Sequence, residues 1–241
     1  MRLFLRVLLK YKKRLVPEPQ ASRLLCGSLI WWMLLSLGIM ILPRSFYEGD
    51  VLAVAKNLLG KVLVHDTSEG MTSGRIVETE AYCGPEDFAS HSARGRRTAR
   101  VELMYGEKGH AYIYFIYGMY WCFNVTAGAT PGKPEAVLIR ALEPVGGTEL
   151  MAKRRGTQNI GNLSNGPGKL CMAMSLTGAQ TKADLTKPPL FITDALIVRQ
   201  ECILATTRIG VDYAGEWKNQ PWRFYIKDNS FVSTWKKGSR A

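Results

Sequence analysis

The chain has 241 residues, of which 46% are hydrophobic, so it can bury a core and is neither a disordered nor a fibrous protein. Its net charge of +12 favours an anionic partner, such as nucleic acid or an acidic membrane surface, over a neutral small molecule. The five cysteines stand singly and no histidine lies in an H-E-x-x-H pattern, so the sequence indicates neither a disulfide framework nor a metal site.

The first notable segment is an uncharged stretch over residues 24–42, LLCGSLIWWMLLSLGIMIL. As a helix it would span about 28 Å, close to the thickness of a bilayer core. Lysines and arginines precede it, so a translated segment would be an anchor with a cytoplasmic N-terminus. A signal peptide fits less well, because no small-residue cleavage site follows. The alternative is that synthesis starts at Met40 or Met33, and we therefore separate residues 1–39 from a domain over 40–241.

Beyond Pro43 the sequence predicts one mixed α/β domain. Residues 50–60 have apolar residues at helical spacing, with Asp50 as the N-cap and Gly60 at the C-terminal end. Strand patterns follow over 61–66, 75–82, 110–117, 135–142, 190–193, 203–211 and 222–227, and helices are predicted over 148–156 and 167–178. Since strands outnumber helices and do not alternate with them regularly, we expect a curved, largely antiparallel sheet flanked by helices.

The strand over residues 75–82, RIVETEAY, carries two carboxylates. A period of two places Glu78, Glu80 and Tyr82 on one face, with the small and apolar residues on the other. A solvent-facing strand with cross-strand ion pairs explains this pattern, and so does a functional site.

A basic loop follows that strand. It passes His91 and then holds four arginines in seven residues, namely Arg94, Arg96, Arg97 and Arg100. Such a cluster is usually a solvated loop. Beside a carboxylate strand it is better explained as an edge that holds phosphates, because the planar guanidinium matches phosphate oxygens.

Residues 111–124, AYIYFIYGMYWCFN, are rich in aromatic side chains. The strand period puts Tyr112 and Tyr114 on one face, and a turn at Gly118 can present Tyr117 outward. A core explains the apolar residues here, but so many hydroxyls would each need a buried partner. Arg140, which ends an apolar strand, is also unusual for a core, since an interior arginine must be paired or functional.

These stretches together resemble one family. R-I-V-E-T-E-A-Y-x-G-P-E-D-x-A-x-H-S, Y-x-Y-x-I-Y-G-M-Y-x-C-x-N, V-L-I-R-A-L-E-P, N-G-P-G-K-L and R-I-G-V-x-x-A-G-E-W are similar to the alkyladenine (3-methyladenine) DNA glycosylases over nearly all of residues 41–235. The resemblance implies a single mixed α/β domain that removes alkylated or deaminated purines from double-stranded DNA by hydrolysing the N-glycosidic bond. It also implies that the enzyme uses no metal or cofactor.

The resemblance assigns roles residue by residue. Glu80 would activate the attacking water, and Arg140, with the backbone of Ile209, would hold that water near the 3′ phosphate. Tyr82, His91 and Tyr114 would sandwich the flipped base, and Tyr117 would fill the gap left in the stack. Asn124 would obstruct the 2-amino group of normal guanine. Apart from the resemblance, the phosphate-holding character of the basic loop predicts that its arginines contact DNA, namely Arg94, Arg96, Arg97 and Arg100.

The chain departs from the family pattern at two places. Ala99 and Val101 stand where relatives carry a proline and an asparagine, a difference that bears on the loop geometry more than on the chemistry. The N-terminal apolar segment is not part of the pattern, and an exported domain would be separated from the DNA that it is expected to repair. We therefore expect a cytoplasmic, nucleoid-associated monomer without an obligate protein partner, at a membrane only if residues 24–42 are translated as an anchor.

Overall fold

The computed structural model describes residues 40–195 and 197–233. Five short α-helices are present in these ranges, in addition to short 3-10 turns: α1 Arg44–Tyr47, α2 Val51–Asn57, α3 Glu102–Tyr105, α4 Thr148–Arg155 and α5 Pro167–Met174. Eight strands accompany them: β1 Val62–Thr67, β2 Gly70–Tyr82, β3 Ala111–Ile116, β4 Tyr120–Thr126, β5 Ala136–Gly146, β6 Leu190–Thr193, β7 Ile203–Thr206 and β8 Arg223–Ile226.

The strands form one eight-stranded antiparallel sheet. Its main path runs β3-β4-β5-β2-β1-β6, and β8 pairs with both β2 and β7. The thirteen-residue β2 is the centre of this arrangement, because it pairs with β1, β5 and β8. The predicted fold class, a mixed α/β domain with a largely antiparallel sheet, is confirmed.

Local signals set the element boundaries much as expected. The Asp50 side chain accepts a hydrogen bond from Ala53 N–H at the start of α2, and Gly60 has a φ of 87° after its end. The sequence patterns failed at two places. They missed β4, because its aromatic and polar residues do not alternate clearly, and the strand predicted over 203–211 was too long, since it ends at Thr206.

One apolar core lies between the sheet and the helices α2, α4 and α5. Its largest fully buried members include Tyr47, Phe123 and Met151. The N-terminal segment and its division from the domain at residue 40 lie outside the described residues and stay predictions. No helix in the described ranges is long and apolar enough to cross a membrane.

Candidate active site

The Glu80 carboxylate is fully buried and held by three groups. Oε1 accepts a 2.8 Å hydrogen bond from the backbone N–H of Ile209 and lies 3.3 Å from Arg140 Nη1. Oε2 accepts a 2.9 Å hydrogen bond from the Tyr82 hydroxyl. Its strand, β2, is hydrogen-bonded to β5 on one side and to β8 on the other. The solvent-facing alternative is therefore wrong, and the carboxylate has one defined orientation.

Glu78 is the second buried carboxylate, and it organises the arginine that reaches Glu80. Its Oε1 accepts from Arg140 Nε at 3.0 Å and from Arg223 Nε at 2.6 Å, while Ser233 adds a backbone and a hydroxyl donor. Burial alone would raise the pKa of Glu78, but the two arginines and Ser233 outweigh it and lower that pKa. Burial opposes the charge of Arg140, yet Glu80 and Glu78 raise its pKa. Arg140 thus bridges the two glutamates as a fixed cation.

A cavity of about 1130 Å³ opens beside this network. Sequence-predicted site residues line it, namely Tyr82, His91, Tyr114, Tyr117, Asn124 and Arg140. Glu80 does not itself line the cavity, but all three of its contacts do. The carboxylate therefore lies immediately behind the inner wall, in direct contact with groups that line the cavity.

The rings of the cavity wall hold one another in place. The His91 and Tyr114 rings lie 4.5 Å apart and nearly perpendicular, and His91 Nδ1 shares a 2.8 Å hydrogen bond with the Tyr112 hydroxyl. Burial, reinforced by Arg100 and Arg96, lowers the pKa of His91 to about 4. Burial also raises the pKa values of Tyr82 and Tyr114 far above neutrality. Near pH 7 the wall consists of uncharged, fixed rings.

The depressed His91 pKa makes stability depend on pH. In the unfolded chain His91 is protonated below about pH 6.5, whereas in the folded protein it is protonated only below about pH 4. Between these values the unfolded state holds more protons, so the free energy of unfolding should rise with pH from about 4 to 6.5. Urea denaturation across this window, on the protein and on His91→Gln, should show a shallower rise in the variant. An equal rise in both would place the titration elsewhere.

Asn124 is presented by β4, the strand that was not predicted. Its amide nitrogen donates to the Tyr112 carbonyl at 3.0 Å, and its side chain is buried at the cavity wall. Register fixes this position, since Asn124 pairs with Tyr112 on one side and Leu138 on the other. The amide therefore has one defined orientation at the cavity wall.

Tyr117 stands at the tip of the β3–β4 turn with 66% of its surface exposed. Both Tyr117 and Gly118 have positive φ, 54° and 69°, and Met119 N–H closes the turn on the Ile116 carbonyl. Positive φ is unusual for a bulky residue and needs support from the surrounding structure. The turn thus holds an aromatic ring outward at the mouth of the cavity.

The four arginines of the basic loop are exposed but differ in their contacts. Arg97 forms a two-point ion pair with Glu102, with distances of 2.9 and 2.6 Å. Arg94 lies over the Phe88 ring and Arg100 over the Tyr114 ring. The structure therefore brings Arg100 to the cavity wall, whereas Arg97 is already engaged. The departure at Val101 is accommodated, because this side chain is buried in a small cluster with Met104 and Tyr112.

Sequence reasoning missed a buried ion pair that supports the site. Asp87 and Arg208 meet through two contacts of 2.5 and 2.8 Å with both side chains fully buried. Arg208 lies between the rings of Tyr82 and Trp222, at 4.8 and 5.0 Å, and directly precedes Ile209. Asp87 also accepts from backbone N–H groups of the loop that leads to His91. Asp87 lies in the stretch P-E-D and Arg208 in the stretch R-I-G-V, but the sequence spacing did not indicate that the two side chains are in contact.

The first turn of α5 and the loop before it also reach the cavity, although the sequence patterns assigned them no role. Asn165 to Lys169 line one side of it, and Lys169 Nζ donates to the side-chain oxygens of Asn162 and Asn165. Tyr213 and Ser233 line it as well. Within residues 40–195 and 197–233, no cluster of three or more His, Cys, Asp or Glu could hold a metal ion.

Comparison with known proteins agrees with this geometry. The family model for methylpurine-DNA glycosylase matches residues 45–230. A Clostridium acetobutylicum protein provisionally named 3-methyladenine DNA glycosylase is 49% identical over 206 residues, covering 82% of this chain and all of its own length. Proteins with the same provisional name from Desulfitobacterium hafniense and Bacillus cereus are 48% and 50% identical, covering 80% and 79% of this chain and 98% of their own. The chain therefore belongs to the methylpurine-DNA glycosylase family and is a DNA glycosylase.

Proposed function

We propose that the enzyme flips alkylated or deaminated purines, of the 3-methyladenine or hypoxanthine type, out of duplex DNA and hydrolyses their N-glycosidic bond. The product would be an abasic site, the first intermediate of base excision repair. One observation carries the proposal: an oriented, buried carboxylate lies directly behind the wall of a ring-lined cavity. The cavity volume of about 1130 Å³ is ample for one extruded nucleobase.

The rings supply the energy for base flipping. Extruding a nucleotide costs a few kcal/mol, and each aromatic contact with the base returns roughly 1 to 3 kcal/mol. Tyr82, His91 and Tyr114 line the cavity, so contacts with two of them offset the cost. Because these rings are uncharged near neutral pH, they accept bases by shape and stacking.

Glu80 would act as the general base. A water attacks C1′ of the sugar, one water proton passes to the Glu80 carboxylate, and the electron pair of the C1′–N bond leaves with the base. Arg140 and the Ile209 N–H orient this carboxylate and so fix the direction of attack. A cationic alkylated purine leaves as a neutral base, whereas hypoxanthine also needs a proton.

The basic loop would bind the DNA backbone. Arg94, Arg96 and Arg100 are exposed and form no ion pair within the described chain, so they are available to phosphate oxygens. Arg97 would contact DNA only if its ion pair with Glu102 broke, or if its guanidinium bound Glu102 and a phosphate at the same time. Binding that depends on phosphate contacts weakens steeply as salt rises.

The direct test is base release by the full chain. Incubation with duplex DNA that holds a single hypoxanthine, or with methylated duplex DNA, should release free base and leave alkali-labile abasic sites. Lesion binding without base release would instead indicate a binding module and overturn the proposed hydrolysis.

Tyr117→Ala should weaken base flipping. The exposed ring can fill the gap that the extruded nucleotide leaves, and losing one stacking contact of roughly 1 to 3 kcal/mol should lower flipping and release about 5- to 150-fold. Fluorescence of 2-aminopurine placed beside the lesion measures flipping directly. The matched control is Tyr225→Ala, which removes a tyrosine of β8 that does not line the cavity. Unchanged fluorescence and rate in Tyr117→Ala would refute the wedge role.

The chemistry should not cut the DNA strand. Water is the proposed nucleophile, and Lys169, which lines the cavity, is held by two asparagine oxygens. Sodium borohydride should therefore trap no covalent enzyme–DNA adduct during base release. An adduct that disappears in Lys169→Ala would show amine attack and replace the water mechanism.

A further inference from the structure

We propose that Arg100 is a specificity-determining residue whose positive charge makes the cavity favour neutral damaged purines over cationic alkylated ones. This inference rests on the proposed function, because it divides the purines of that function into two classes. It concerns how readily each class enters the cavity and not whether the enzyme acts on it.

The position of Arg100 carries the inference. Its guanidinium carbon lies 4.8 Å from the centroid of the Tyr114 ring. Tyr114 lines the cavity and Arg100 does not, so the guanidinium lies behind the ring or at its rim. A base stacked on Tyr114 would then lie roughly 8 to 10 Å from the charge, since stacked ring centroids are about 4 to 5 Å apart. Arg100 therefore acts through the ring without occupying the base site.

Apart from Lys169, which lines the cavity and is held by two asparagine oxygens, the other charges at the site largely cancel. Three buried carboxylates are matched by three arginines through direct ion pairs, namely Glu78, Glu80 and Asp87 with Arg140, Arg208 and Arg223. His91 is neutral near pH 7, with its pKa at about 4. Among the described residues, no carboxylate lies within ion-pair distance of Arg100. Its charge is therefore left unbalanced beside the wall that receives the base.

Two effects of this charge act in the same direction. A purine alkylated at a ring nitrogen in DNA enters the cavity with a positive charge, which Arg100 repels, whereas hypoxanthine enters neutral and gains its proton only when its bond to the sugar breaks. The charge therefore distinguishes the two classes at the flipping step, before bond cleavage. The electron-rich face of Tyr114 that would attract a cationic base is also already polarised by Arg100. At such a separation, a surface charge changes the relative preference by about two- to twentyfold, depending on the effective dielectric constant.

The test compares flipping of the two classes by the full-length enzyme, measured by the fluorescence of 2-aminopurine placed beside the lesion. The probes are two duplexes of one sequence, one with a single hypoxanthine and one with a single 7-methylguanine. Arg100→Met should raise the ratio of cationic to neutral flipping by about two- to twentyfold, and added salt should shrink the change through screening. Normalising the two flipping signals to each other removes any general loss of DNA affinity.

Two variants separate charge from other causes. Arg100→Lys keeps the charge and should leave the ratio within about twofold of the unmodified enzyme. Arg97→Met removes a loop arginine that Glu102 already neutralises, and it should not move the ratio. An unchanged ratio in Arg100→Met, or an equal change in Arg97→Met, overturns the inference while the proposed function stands. Release of neither class by the unmodified enzyme overturns the proposed function itself.

Discussion

Glu80→Gln is expected to reduce base release by roughly 10²- to 10⁴-fold, the usual contribution of a general base, while lesion binding is retained. The amide has nearly the same shape as the carboxylate, so the rings and their stacking surface remain. It cannot take a proton from water, however, and it presents an NH₂ group to Ile209 N–H or Arg140, both of which are donors. Single-turnover release and equilibrium binding, measured on the same hypoxanthine duplex, separate chemistry from affinity.

Glu143→Gln is the matched control for that experiment. Glu143 lies on the neighbouring strand β5 and pairs with Arg75 away from the cavity, so the same substitution there should leave release unchanged. If Glu80→Gln released base at the normal rate, Glu80 would have no role as a base. If it lost binding as well, the carboxylate would mainly hold Tyr82 and Ile209 in place.

Asp87→Asn is expected to have the largest effect on stability. It leaves the guanidinium of Arg208 fully buried without its carboxylate, and Arg208 Nε already lacks a hydrogen-bond partner. Removing one member of such a pair typically costs about 3 to 5 kcal/mol. For a domain of this size the melting temperature should fall by about 10 °C. Thermal unfolding followed by circular dichroism measures the loss.

The double variant Asp87→Asn/Arg208→Met tests the cause. If an unpaired buried charge is responsible, removing that charge should recover part of the lost melting temperature, and the two single losses should not add. Arg199→Met serves as the surface control, because the Arg199–Glu201 pair is exposed and should contribute no more than about 1 kcal/mol. Additive losses from the two buried substitutions would show that the pair is not coupled.

Local sequence was sufficient for most of the sheet and for the helices α2, α4 and α5. Alternation along β2, β3 and β5 and the capping signals at Asp50 and Gly60 act between neighbours in the chain, so they can be seen without a fold. The same alternation put Glu80 beside Tyr82, and Tyr112 beside Tyr114. The roles of these residues came instead from the family resemblance, because spacing alone also allowed a solvent-facing strand and an ordinary core.

Only the tertiary structure decided what surrounds those side chains. Burial of Glu80 requires β5 and β8 on both sides of β2. Its hydrogen-bond donor, the backbone N–H of Ile209, is 129 positions away in the chain. The pairing of Asp87 with Arg208 and the approach of Arg100 to Tyr114 likewise join loops that no period relates. Sequence patterns record the preferences of neighbouring residues, whereas contacts between distant segments depend on how the whole sheet packs.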